Sequence, residues 1–68
     1  MNEISLKAER LNRGLTLNDA AEEMGVDRQA LLRAENGGPR PTPSNAFKIA
    51  DFYGFKVTEV WPLEGVAA

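Results

Sequence analysis

The chain is 68 residues long with no cysteine, no histidine, 26% charged residues and 43% from the apolar set, an ordinary mixture for one small globular domain. A domain of this length buries only about 60% of the surface its unfolded form exposes, so a thin core is expected and a large catalytic cleft is not. Disulfides and thiolate metal sites are excluded, and the chain reads as cytoplasmic.

Ten acidic residues against eight basic give a net charge of −2, which at first sight opposes a polyanionic partner. The distribution says more than the total. Residues 1–26 hold three basic and five acidic side chains, residues 27–48 four and two, and residues 49–68 one and three. The middle third is therefore locally basic, through Arg28, Arg33, Arg40 and Lys48, and a nucleic-acid surface is to be sought there.

The N-terminal run Met1 to Lys7 has no apolar stretch after its charges, and nothing approaches the roughly 18 apolar residues of a membrane span. Glycines and prolines then divide the chain into short helical pieces with no strand-like alternation between them. A first helix is expected from about Glu3 to Arg13, with Ile4, Ala8 and Leu11 on its inner stripe and Gly14 at its end. Thr16 is the expected N-cap of a second helix that turns Leu17, Ala20, Ala21 and Met24 inward and stops at Gly25.

After the inward Val26, Asp27 caps a third helix running to about Asn36, where Gly37 and Gly38 stop it. On a helical wheel Arg28, Gln29, Leu32 and Arg33 fall within one arc, with Leu31 and Ala34 opposite. Pro39-Arg40-Pro41-Thr42-Pro43 reads as an extended loop, since each proline removes an amide donor and pushes the preceding residue out of the helical region. Thr42 followed by Pro43 opens a fourth helix to Tyr53, with Ala46, Ile49, Ala50 and Tyr53 inward and Gly54 closing it. A last short helix or turn is expected from about Thr58 to Leu63, limited by Pro62.

Two short helices joined by Met24-Gly25-Val26-Asp27, the second with a basic outer arc, have the layout of a helix-turn-helix. The run from Leu15 to Gly37 resembles the Cro and lambda-repressor type of helix-turn-helix, the XRE family, and the resemblance extends from about Leu6 to Trp61 through Lys48-Ile49-Ala50 and Gly54. It implies an all-α, lambda-repressor-like bundle of four to five short helices in a single domain spanning 1–68. The helix-turn-helix covers about 16–36, and the tail 64–68 is expected to fray. It further implies a third helix lying in the DNA major groove.

Carried onto this chain, the base-reading positions are Arg28, Gln29, Ala30 and Arg33, residue types suited to guanine, adenine and the thymine methyl. The resemblance places phosphate contacts at the Leu17 backbone amide, Asn36 and Arg40, and a structural ion pair between Arg10 and Glu35. Relatives often carry glutamine where Leu17 stands, and a small or polar residue where Leu32 stands. Leu32, Val57, Val60 and Trp61 form a candidate dimer or partner surface.

The expected function is sequence-specific double-stranded DNA binding by a small Cro-type repressor, as a homodimer, with no membrane, metal, cofactor or small-molecule ligand. The competing reading keeps the scaffold but binds protein, in the manner of an antitoxin or antirepressor; Leu17, Leu32 and the net charge favour it. Catalysis is not expected, because histidine and cysteine are absent, Ser5 and Ser44 are the only serines, and no phosphate-cradling glycine loop follows a strand. Asp19, Glu22 and Glu23 read as a solvated helix face, short of the converging oxygen ligands a hard cation needs. The prolines at 39, 41 and 43 lack the PxxP spacing and read as a stiff connector.

Overall fold

The computed structural model describes residues 4–62. They form an all-α bundle of five helices: α1 (Leu6–Asn12), α2 (Leu17–Met24), α3 (Arg28–Glu35), α4 (Pro43–Tyr53) and α5 (Val57–Val60). The expected fraying of 64–68 lies outside the described residues.

Local chemistry sets most of the boundaries. The first amides of a helix have no intrahelical acceptor, and here side-chain oxygens supply one. Ser5 accepts from the Ala8 amide at 3.1 Å, Thr16 from Asp19 at 3.1 Å, Asp27 from Gln29 at 3.0 Å and Thr42 from Asn45 at 3.3 Å. At the other end of α2, Gly25 adopts φ +78°, and its N–H bonds the Ala21 and Glu22 carbonyls. A side chain at that φ would crowd the backbone, so glycine is the residue that lets α2 stop and the chain turn at once into α3.

The core is built by Leu31 and Ile49, both fully buried, with Ala20, Ala21, Ala46 and Ala50 letting the backbones approach closely around them. Leu6, Met24, Ala34 and Tyr53 complete it. The helix α3 packs against α1 and α2, while α4 packs against α2 and α5. One helix of the pair therefore rests on the bundle along its inner side and leaves its outer side to solvent.

The structure corrects the expected inner stripe of α1. Ala8 is exposed and Leu11 is 56% exposed, whereas Leu6 and Arg10 are buried and Ile4 packs beside them. The helix begins at Leu6 under the Ser5 cap, and the face that turns inward is the one whose arginine finds a buried acceptor. The last helix is also displaced, starting at Val57 and ending at Val60, with the Lys56 amide bonded to the Glu59 carboxylate at 2.7 Å.

Candidate nucleic-acid interface

The third helix divides into two faces. Leu31 and Ala34 are buried beneath it; Arg28, Gln29 and Arg33 are exposed, and Ala30 and Leu32 are half-buried at the flanks. Because Leu31 and Ala34 anchor one side in the core, the rotation of α3 about its axis is set, and Arg28, Gln29 and Arg33 are committed to the other side.

The loop that follows is folded back onto this face. The Gly38 amide donates to the Arg33 carbonyl at 2.9 Å and the Gly37 amide to the Ala34 carbonyl at 3.4 Å, with Gly37 at φ +78°, so α3 ends in a tight reversal. The proline-rich segment then returns along α3. Ala30 and Arg33 line a cleft of about 250 Å³ together with Pro39, Arg40, Pro41, Thr42 and Asn45. Two arginines, one from the helix and one from the loop, therefore border a single groove.

Thr42, expected from sequence only as the cap of α4, and Asn45 are not among the expected site residues. The Thr42 hydroxyl is committed to the Asn45 amide, and the Asn45 side chain sits half-buried at the cleft. The signal for them was the stiffness of the three alternating prolines, which limits where the first turn of α4 can go.

Asn36 is exposed, and its amide bonds the Leu32 carbonyl at 3.0 Å. The Leu17 side chain is half-buried against the core, which accounts for an apolar residue there without a partner protein. Its amide lies in the first turn of α2, where the positive end of the helix dipole favours an anion.

Arg10 and Glu35 tie the far end of α3 to α1. The Arg10 Nε donates to Glu35 Oε2 at 2.7 Å, a terminal guanidinium nitrogen donates to Oε1 at 3.0 Å, and the other donates to the Leu15 carbonyl at 3.0 Å. This is a two-pronged charge-assisted contact, with Arg10 9% exposed and the Glu35 side chain 2% exposed. The hydrogen bond to Glu35 raises the guanidinium pKa above its already high ordinary value, and burial opposes it. Arg10 is therefore permanently charged and engaged inside the protein.

Val57 is half-buried on α5, and Val60 and Trp61 pack against the core. Val60 and Trp61 also border an open cleft of about 460 Å³ with Ile4, Leu6 and Ala34, from whose walls Leu32 is absent. Asp19, Glu22 and Glu23 are exposed, and among the described residues no three acidic, histidine or cysteine side chains converge as a metal site. Among the same residues no helix is long and apolar enough to cross a membrane.

A helix pair joined by a left-handed glycine, its second member anchored on one side and arginine-bearing on the other, defines a helix-turn-helix protein. The family model for the helix-turn-helix matches residues 6–60. An uncharacterised HTH-type transcriptional regulator from Methanocaldococcus jannaschii is 39% identical over 59 residues, covering 87% of this chain and 89% of that protein. No solved structure matches at a significant level. The chain belongs to the XRE-type helix-turn-helix family of DNA-binding transcription regulators.

Proposed function

We propose that the chain is a sequence-specific double-stranded DNA-binding protein, a small repressor of the Cro type that reads the major groove with α3. The observation that carries this reading is the exposed arc of Arg28, Gln29 and Arg33 standing directly over the buried Leu31 and Ala34. Arginine gives two parallel hydrogen bonds to guanine, glutamine does the same for adenine, and the Ala30 methyl suits a thymine. The Leu17 amide, Asn36 and Arg40 hold phosphates and set the register of α3 without reading sequence. Repression needs only occupancy of the operator, so the protein works without catalysis or a small-molecule ligand, in the cytoplasm.

A single eight-residue helix reads few base pairs, and two copies on a two-fold site supply the rest of the affinity. The half-buried apolar residues Val57, Val60 and Trp61 at the α5 end are the surface through which the copies meet.

The test is selection of bound duplexes from a random pool, followed by anisotropy titration of wild type and Arg28→Ala at two salt concentrations. A motif whose affinity falls with salt, and which the substitution weakens by about 1–3 kcal/mol at one base position, supports the reading. A palindromic motif supports the dimer. Weak, sequence-blind binding sinks the repressor and transfers the assignment to a protein-interaction module, with Leu32 and Trp61 as the residues to probe.

A further inference from the structure

Lys48 belongs by composition to the basic middle third and is itself exposed, yet its ammonium bonds the protein. Its Nζ donates to the Gly25 carbonyl at 3.4 Å, from α4 to the corner between α2 and α3. That carbonyl accepts no backbone hydrogen bond among the described residues, because the left-handed turn at Gly25 carries it out of the α2 ladder. The end of α2 also lacks a cation of its own. No basic residue lies in its last turn, and Glu22 and Glu23 stand there instead, adding negative charge to the negative pole of the helix. A lysine from another helix supplies both the missing donor and the missing positive charge.

The corner it touches is the one that launches α3. Gly25 is followed at once by Val26, packed on the core, and by Asp27, the cap of α3. On the other side Lys48 stands next to Ile49, a residue fully buried in the core. The contact therefore joins a rigid point of α4 to the start of the helix that carries Arg28 and Gln29.

We propose that Lys48 is a positioning residue for DNA recognition: it latches the helix-turn-helix corner to α4 and sets the entry of α3, and it does not neutralise a phosphate. The proposal rests on the DNA-binding reading above. It separates Lys48 from Arg28, Arg33 and Arg40, whose charges face outward at the interface.

The test uses the full chain as wild type, Lys48→Met and Lys48→Arg. In the DNA-free protein, the Met variant shifts the amide resonances of Gly25, Val26 and Asp27, and the Arg variant, which keeps charge and donor, shifts them less. On the selected motif and a scrambled duplex across a salt series, the Met variant loses about tenfold in the ratio of the two affinities, the order of one misaligned bidentate contact. Its salt slope stays that of wild type, and Lys48→Arg recovers most of the ratio. Equal losses on both duplexes with the slope reduced by about 0.9 assign Lys48 to a phosphate and overturn the proposal. An unchanged ratio with unmoved corner resonances overturns it as well. If the wild type discriminates between no duplexes, the DNA-binding reading has failed and the recognition role falls with it, while the corner resonances alone decide whether the latch exists.

Discussion

Replacing Arg10 by methionine removes the charged partner of a carboxylate that has nowhere else to go. Glu35 loses the bonds at 2.7 and 3.0 Å, the Leu15 carbonyl loses its donor at 3.0 Å, and the Glu35 side chain is only 2% exposed to water. Breaking a buried pair from one side costs about 3–5 kcal/mol, because the surviving charge remains desolvated. A 68-residue domain has a total stability of only about 3–10 kcal/mol. Arg10→Met is therefore expected to lose between about a third and all of its stability at room temperature.

The double variant Arg10→Met with Glu35→Leu leaves no buried charge and regains most of the loss, since well-packed apolar residues replace such pairs at little cost. Glu9→Gln serves as a control. Its partner Arg13 lies at 2.9 Å, but the two side chains are 40% and 33% exposed, and pairs of this kind contribute less than about 1 kcal/mol. Urea unfolding followed by far-ultraviolet circular dichroism measures all four proteins, with the slope held common so that midpoints report stability. A loss below about 1 kcal/mol for Arg10→Met, or a double variant no more stable than the single, would refute the reasoning.

Tyr53 is buried beside Phe52 with Arg13 4.8 Å above its ring, and its hydroxyl has no protein hydrogen-bond partner among the described residues. Tyr53→Phe is therefore expected to be neutral or to stabilise by about 1 kcal/mol in thermal unfolding, and a loss of that size would show that the hydroxyl is bonded after all. Burial, helped by Glu35, pushes the phenol pKa up, so its contribution is fully present below the unfolded value of about 10 and is lost as pH rises through the folded value. Wild type should lose stability above about pH 10 more steeply than the Phe variant, and parallel alkaline profiles would count against this. At Gly37, φ +78° is a left-handed conformation that costs other residues roughly 1–2 kcal/mol, so Gly37→Ala should lower Tm by about 4–8 °C per kcal/mol lost. An unchanged Tm would mean that the reversal after α3 tolerates a different path.

The sequence by itself determined where α2, α3 and α4 start and stop, because caps and left-handed glycines act within a few residues. Thr16, Asp27 and Thr42 each bond an amide two or three positions away, and Gly25 and Gly54 end their helices by taking a left-handed φ. The inward faces of α2, α3 and α4 were also legible, since their apolar residues recur at helical spacing with no rival stripe. Tertiary structure decided what depends on partners distant in the chain. On α1 the apolar spacing favoured Ala8 and Leu11, but Arg10 is drawn inward by a carboxylate 25 residues away, and Leu11 is left in water. The groove shared by Arg33, Arg40, Thr42 and Asn45, and the bond from Lys48 to Gly25, arise only when the proline loop and α4 fold back against the helix-turn-helix. Short-range hydrogen bonding and sterics are written in neighbouring residues; the placement of a charge is settled by whichever acceptor the folded chain brings within reach.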